Sequence, residues 1–148
     1  MTDTASAATP PTSAPHGPTP PVSVIVPAYN EATVIARTLT PLCAGARAGR
    51  LQVIVVANGC QDDTARIARE TCPDALVIET EVASKTNALN LAAPEVTGSA
   101  VVCLDGDLVL SETALQTLVA PLLDGSADVA NGRMLVDTSH ASALVRAF

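Results

Sequence analysis

The sequence predicts an α/β fold built on a mostly parallel sheet. Short runs rich in Val and Ile alternate with segments whose apolar residues recur at helical spacing, which is typical of parallel strands joined by crossover helices. The strand-like runs are almost wholly apolar, as expected where helices cover both faces of a sheet. The chain has 148 residues, 48% of them apolar, with one Tyr, one Phe and no Trp. It is long enough for one domain with a core of Val, Leu, Ile and Ala.

Five strands and five helices are predicted in alternating order after a tail. Residues 1–21 are mainly Thr, Ala, Ser and Pro, which predicts a disordered tail, and residues 22–148 form the predicted domain. The predicted strands are 22–26, 51–57, 75–79, a strand that begins at 100, and 128–136. The predicted helices are 31–42, 64–71, 85–93, 111–123 and 139–148. Plausible N-caps precede three of these helices: Asn30, Asp62 or Asp63, and Ser111.

Charge and cysteine content argue against several functional classes. Eight basic and fifteen acidic residues give a net charge of −7, which argues against nucleic-acid binding and against a polybasic membrane patch. No apolar run approaches the ~20 residues of a membrane span, and the N-terminus lacks the features of a secretory signal. Four cysteines without a C-x-x-C pair predict reduced thiols and a cytoplasmic protein. Cys43 and Cys103 lie in apolar segments and are predicted to be buried.

The stretch with the clearest chemistry is Asp105-Gly106-Asp107, which follows an apolar run. Carboxylates spaced i, i+2 share one face of a strand, and beyond the strand's end Gly106 is expected to let the backbone bend so that both converge. Convergent carboxylates repel each other unless a cation lies between them, and Mg²⁺ often binds one or two carboxylates together with substrate phosphates. The spacing therefore indicates a metal and phosphate site. The alternative is a simple polar turn, because Asp-Gly is common in turns.

Polar clusters follow all of the first four predicted strands. They lie at residues 28–31, 58–63, 80–85 and 105–107. Ligands of parallel α/β sheets bind outside the carboxyl ends of the strands, where the strand order reverses. The four clusters are therefore expected to form one site.

Four segments in this order resemble family 2 glycosyltransferases with the GT-A fold. They read VSVIVPAYNE, VIVVANGCQDDT, KTNALN and VVCLDGD, and the resemblance extends from Val22 to about Leu110. It implies a GT-A-like domain that binds a nucleotide-diphospho-sugar, either a UDP- or a GDP-sugar, with Mg²⁺ or Mn²⁺. It also implies transfer of the sugar, with inversion, to an acceptor that the sequence does not identify.

The resemblance also implies roles for individual residues. Asp105 and Asp107 would hold the metal, with Asp107 as the more direct ligand and Asp105 nearer the ribose. Tyr29 and Asn58 would contact the base, and Glu31 the nucleoside. The complete donor-binding set that the resemblance implies is Pro27, Ala28, Tyr29, Glu31, Asn58, Lys85 and Asp105.

Each of these residues also has a plain structural interpretation. Tyr29 could be a packing residue, Glu31 a first-turn helix acid and Lys85 a solvated cation. Asp62 and Asp63 are interpreted as helix caps rather than ligands. Ala57 stands where the family commonly has an aspartate.

No catalytic base is assigned, because the family's base lies in a later acidic motif that does not align with this chain. The alternative function is therefore a non-catalytic or truncated nucleotide-sugar-binding fragment, with the acceptor part missing or supplied by a partner chain. A Rossmann oxidoreductase is disfavoured, because the first loop reads PAYNE and not G-x-G-x-x-G. A sugar nucleotidyltransferase is disfavoured because the glycine-rich first loop is absent.

Overall fold

The structure is a computed structural model that describes residues 21–132. The predicted tail, apart from Pro21, lies outside the described residues. So do the predicted fifth helix and the second half of the predicted fifth strand.

Within residues 21–132, four parallel strands form a single sheet in the order β3-β2-β1-β4. They are β1 (Val22–Ala28), β2 (Leu51–Asn58), β3 (Leu76–Thr80) and β4 (Ala100–Cys103). Val24 of β1 lies opposite Val53 of β2 on one side and Val102 of β4 on the other. The chain therefore builds outward from β1 in both directions, and the strand order reverses between β1 and β4. The carboxyl ends of these strands are the expected ligand position in such a sheet.

Four helices connect and follow the strands. They are α1 (Ile35–Arg47), α2 (Thr64–Thr71), α3 (Lys85–Ala92), which continues as a 3₁₀ turn over Ala93–Glu95, and α4 (Glu112–Leu123). The predicted bounds of α2 are confirmed. Ser111 caps α4 as predicted, because its hydroxyl oxygen accepts a hydrogen bond of 3.1 Å from the backbone N–H of Ala114.

The predicted bounds and cap of the first helix are wrong. Asn30 has a left-handed φ of 53° and does not cap α1, and its side-chain oxygen instead accepts from the backbone N–H of Gln61. The helix begins four residues later than predicted and continues through the small residues that follow Leu42. Gly45 lies within it and is buried so closely against Leu51 that a Cβ would meet the leucine side chain at 2.7 Å. Tertiary packing here outweighs the low helix propensity of glycine.

Apolar side chains pack on both faces of the sheet. On one face, alternate residues of β1 and β2 meet α1, α2 and α4, and the fully buried members of this cluster include Val24, Val26, Val53, Val55, Ile35, Leu39, Leu42 and Leu115. On the other face the cluster is smaller and involves α3: Ile25, Ile54, Val56, Ala88 and Ala92. Burial on both faces explains why the strands are continuous apolar runs.

Strand β4 is covered less completely than β1 and β2. Val102 is buried, but Val101 is 45% exposed and Cys103 is exposed on the opposite face. The prediction that Cys103 is buried is therefore wrong, because α3 lies over β1 and β2 and leaves this face of β4 uncovered within residues 21–132. Cys43 is half-buried, and Cys72 is the fully buried cysteine. All four cysteines are free.

The described part of the predicted fifth strand, residues 128–132, forms no strand. Among residues 21–132, no helix is both long enough and apolar enough to cross a membrane.

Candidate functional site

The carboxyl ends of β1, β2 and β4 and the start of α3 enclose an open cavity of about 580 Å³. Its walls consist of Pro27, Tyr29, Glu31, Asn58, Ala83, Lys85, Asp105, Gly106 and Asp107. The structure therefore brings together every sequence-predicted site residue except Ala28. That residue is buried below the cavity.

The Asp105–Asp107 segment is both a turn and a cavity wall. Strand pairing extends to Leu104, whose N–H donates to the carbonyl of Ile25, and the N–H of Leu108 then closes a turn onto the carbonyl of Asp105 at 3.0 Å. Gly106 and Asp107 are the central residues of this turn. Both aspartates lie at the cavity, as predicted from their spacing.

The backbone bends at Gly106 as predicted, but the bend does not depend on a conformation that favours glycine, because the φ of Gly106 is not left-handed. Gly106 is buried, and a Cβ on it would lie 3.3 Å from both Ala28 Cβ and Glu31 Cγ. A side chain at this position would be tightly packed, because the turn after β4 lies directly against the loop after β1. This close approach brings the aspartates beside Glu31.

Negative charge is concentrated at this point and is partly offset by one lysine. The Lys85 ammonium forms an ion pair with Oδ1 of Asp105, and both side chains are more than half exposed. Partial burial raises the pKa of Glu31 above its usual range, and the nearby charges of Asp107 and Asp62 raise it further. Acidic side chains therefore lie close enough here for Asp107 to oppose the ionisation of Glu31, and a bound cation would relieve this repulsion.

The donor set fits a hard divalent cation that is shared with a bound ligand. Within residues 21–132, no group of three or more His, Cys, Asp and Glu side chains is arranged to hold a metal by itself. Two carboxylates at one cavity wall suit Mg²⁺ or Mn²⁺, since Mg²⁺ in particular binds through one or two carboxylates, with water and substrate phosphates as its other ligands. A fully protein-built metal centre does not fit these residues.

Asn58 is almost fully buried at the base of the cavity, and its amide orientation is fixed. Its Nδ2 donates to the carbonyl of Ala28 at 2.8 Å and lies 3.5 Å from the carbonyl of Val56. Because the N–H donors point into the protein, the side-chain oxygen is the atom available to a ligand. Asn58 can therefore offer a ligand an acceptor, as an aspartate would. Ala28 itself is buried, and its carbonyl is the acceptor that orients Asn58.

The structure tests the interpretations of Tyr29 as a core residue and of Asp63 as a helix cap. Tyr29 is 53% exposed at the cavity, so it is not a core residue. Asp63 occupies the N-cap position of α2 without a side-chain cap bond and instead pairs with Arg66 at 2.9 Å. Ala57 lies away from the main cavity and lines a smaller one of about 220 Å³.

Asp62 links the loop after β2 to the loop after β1. One of its carboxylate oxygens accepts from the N–H and the hydroxyl of Thr64, and the other accepts from the N–H of Ala32 at 3.0 Å. Partial burial of Asp62 opposes ionisation, but these hydrogen bonds outweigh it, and the pKa of the carboxyl lies below its usual range. The negative charge of Asp62 is therefore held in place between the two loops.

Comparison with known proteins agrees with this geometry. Residues 23–143 match the family described as glycosyl transferase family 2. The chain belongs to this family. It is 33% identical over 118 residues to glycosyltransferase AglE and 32% identical over 119 residues to glycosyltransferase AglD, both from Haloferax volcanii. These alignments cover 76% and 75% of this chain but 39% and 19% of the two relatives.

Solved structures of other proteins have the same fold. Glucosyl-3-phosphoglycerate synthase from Mycobacterium tuberculosis, in complex with Mn²⁺, UDP-glucose and phosphoglyceric acid, is 28% identical with a TM-score of 0.60. That alignment covers 70% of this chain and 39% of the synthase. Staphylococcus aureus TarS 1–349, at 24% identity and a TM-score of 0.61, is similar in fold and covers 82% of this chain. The predicted GT-A-like α/β fold is thus confirmed, and this chain spans about two-fifths of those structures.

Sequence reasoning missed the buried hydroxyls beneath the site. Thr64 was placed only at the start of a helix and Thr38 only inside one, yet both are fully buried and bonded to cavity loops. A polar residue among the apolar positions of a helix gives only a weak signal for this role, because its partners lie far away in the sequence.

Proposed function

We propose that this chain is the donor-binding part of a glycosyltransferase that binds a UDP- or GDP-sugar with Mg²⁺ or Mn²⁺ and transfers the sugar with inversion. The observation that carries the proposal is the convergence of four strand-end segments on one cavity. Asp105 and Asp107 lie at one wall, Asn58 at the base and Lys85 beside the aspartates. The neighbour with Mn²⁺ and UDP-glucose supports this assignment by similarity.

The nucleoside would bind on the side of the cavity formed by the loops after β1 and β2. Asn58 presents an acceptor oxygen there, which suits a ring N–H or an amino group of a base. Tyr29 is exposed at the cavity, where its ring can stack on a base. Glu31 would accept hydrogen bonds from ribose hydroxyls.

The diphosphate would bind between the Asp105–Asp107 turn and the start of α3. Asp105 and Asp107 would hold the cation, which, when bound, stabilises the negative charge that develops on the leaving diphosphate. Lys85 is the first residue of α3, so both its ammonium and the helix N-terminus favour phosphate at this position. In the transfer, the bond from the sugar's anomeric carbon to the phosphate oxygen breaks, and a bond to the acceptor oxygen forms.

A second candidate, a nucleotide-sugar-binding part without its own catalytic base, is favoured by one observation. An inverting transfer needs a group that takes the acceptor's proton. Among residues 21–132, the only acids at the cavity are Glu31, Asp105 and Asp107, each of which has a donor-side role in this proposal. In that case the base and the acceptor site come from polypeptide outside the described residues or from a partner chain.

The test is calorimetric titration of UDP and of GDP into the 148-residue chain, with and without Mn²⁺. We expect affinity to rise with Mn²⁺ and this rise to disappear in Asp107→Asn, which removes the charge but keeps the shape. Loss of residues that only support a metal ligand typically costs ~10-fold or more in metal affinity, so loss of a ligand should cost at least as much.

Asp74→Asn is the matched control, because Asp74 is an acid that pairs with Arg47 away from the cavity. The donor-site proposal is refuted if the folded chain binds neither nucleotide, or if both variants behave alike. Incubation with UDP- and GDP-sugars and Mn²⁺ then separates the two candidates. With water as the only acceptor, a chain that has its own base should slowly hydrolyse the donor to free sugar and nucleoside diphosphate, and metal-dependent binding without this hydrolysis favours the binding part that lacks a base.

A further inference from the structure

Two threonines that do not line the cavity are bonded to the loops that do. Thr38 in the first turns of α1 and Thr64 at the start of α2 are both 0% exposed. A buried hydroxyl is costly unless it is hydrogen-bonded, so the partner of each one is informative. Each threonine has its partner in a different part of the cavity wall.

Thr64 belongs to a set of three side chains that hold the loop after β1. Three consecutive backbone N–H groups of that loop, at Asn30, Glu31 and Ala32, donate to side chains from the loop after β2 and from the first residue of α2. Their acceptors are Cys60 Sγ at 3.4 Å, Thr64 Oγ1 at 2.8 Å and Asp62 Oδ2 at 3.0 Å. Thr64 holds the central N–H, and its own hydroxyl donates to Asp62 at 2.5 Å.

This set fixes the backbone from which Tyr29 and Glu31 extend. Asn30 within this loop has a left-handed φ of 53°, and its side-chain oxygen also accepts from the loop after β2, at the N–H of Gln61. Loss of the Thr64 hydroxyl leaves the N–H of Glu31 without its acceptor. The nucleoside side of the cavity would then lose its fixed position.

Thr38 holds the other wall. Its hydroxyl donates to the carbonyl of Gly106 at 2.8 Å in a buried contact between residues 68 positions apart. Gly106 is the residue between Asp105 and Asp107, so this bond fixes the turn that carries both carboxylates. Thr38 thus joins helix α1 to the Asp105–Asp107 turn. Thr64 joins the loop that precedes α1 to the start of α2.

We propose that Thr64 and Thr38 are positioning residues with separate tasks. Thr64 positions the nucleoside side of the site, and Thr38 positions the carboxylate pair for the cation and the diphosphate. The proposal rests on the proposed donor-binding function. It assigns a role in the site to two residues that touch neither the nucleotide nor the metal.

The test uses Thr64→Val and Thr38→Val, which remove equally buried hydroxyls with little change of shape. UDP is titrated into the 148-residue chain in EDTA and again in Mn²⁺. We expect Thr64→Val to weaken UDP binding in EDTA by roughly threefold to tenfold, the range for one lost hydrogen bond. The increase in UDP affinity on adding Mn²⁺ should be the same in Thr64→Val as in wild type. Thr38→Val should leave UDP binding in EDTA unchanged. It should reduce the increase in UDP affinity on adding Mn²⁺ by roughly threefold to tenfold.

Two controls separate positioning from general destabilisation. Thr64→Ser and Thr38→Ser keep the hydroxyl and should restore the wild-type pattern. Ser111→Ala removes the cap of α4, which lies outside the cavity wall, and should lower stability without changing either titration. The proposal is overturned if, at equal loss of stability, Ser111→Ala weakens UDP binding as much as the two threonine variants do. The two threonines would then have only a structural role.

Amide hydrogen exchange gives a readout that does not depend on nucleotide. Thr64→Val should accelerate exchange at Glu31 more than at Leu108, whose N–H closes the aspartate turn, and Thr38→Val should do the reverse. If this crossed pattern appears in a chain that binds no UDP, the donor-site proposal fails while the positioning by the two threonines stands. Uniform acceleration at both amides in both variants overturns the positioning proposal itself.

Discussion

Lys85→Met should change metal binding and nucleotide binding in opposite directions. Without nucleotide, the Lys85 ammonium pairs with Asp105 and therefore competes with a cation for that carboxylate. In the proposed complex with nucleotide, the same ammonium, at the start of α3, would bind the diphosphate. Its removal should therefore strengthen the binding of Mn²⁺ alone and weaken the binding of UDP in the presence of Mn²⁺.

The expected magnitudes follow from the exposure of the pair. The side chains of Lys85 and Asp105 are 59% and 51% exposed, so water screens their attraction. Exposed ion pairs are worth ~0.2–1 kcal/mol, which corresponds to Mn²⁺ binding that is at most about fivefold tighter in the variant. Hydrogen bonds to charged groups contribute ~1.5–3 kcal/mol, so UDP binding should weaken by about tenfold or more.

The assay is titration of Mn²⁺ alone, and of UDP at saturating Mn²⁺, into wild type, Lys85→Met and Arg47→Met. Arg47→Met is the matched control, because it makes the same change in net charge at a pair away from the cavity. It should leave both affinities close to wild type. The reasoning is refuted if Lys85→Met weakens the binding of both ligands, or if Arg47→Met reproduces its effect.

Two further predictions concern stability. Glu31→Gln should raise the melting temperature at neutral pH. Burial and neighbouring charges raise the pKa of Glu31 in the folded state, so its ionisation destabilises the fold as pH rises. The difference in melting temperature should vanish below about pH 4, where the Glu31 carboxyl is protonated in both the folded and the unfolded state. A difference that persists there would contradict this explanation. Gly98→Ala should cost ~1–3 kcal/mol in urea unfolding, because its Cβ would lie 2.6 Å from Ser23 N and 2.7 Å from Val22 C. UDP affinity of the folded protein should not change, because Gly98 lies at the amino end of the sheet, and a weaker affinity would show that the two ends are coupled.

The fold and the composition of the site could be predicted from the sequence because both depend on local patterns. Apolar runs marked the four described strands, and helical spacing marked α2 and α4. The rule that ligands bind at the carboxyl ends of parallel strands then placed Asn58, Lys85 and Asp107 at one site, and the cavity contains all three.

Tertiary contacts alone decided the start of α1, the role of Gly106 and the exposure of Cys103. Asn30 is a good N-cap by residue type, but its side chain instead accepts from Gln61 in the loop after β2. No local sequence pattern encodes this contact. Gly106 is closely packed against Ala28 and Glu31, and their approach follows from the pairing of β1 with β4. Cys103 is exposed because the helix on that face of the sheet covers the neighbouring strands.

The sequence by itself thus determined the order of the elements and the residues that reach the cavity, since periodicity and strand ends are properties of neighbouring residues. The tertiary structure decided which groups hold those residues in place. Thr38 and Gly106 are 68 positions apart, and Thr64 and Glu31 are 33 apart. A hydrogen bond over such a separation exists only after the sheet has formed, so the positioning of the site is a property of the folded chain.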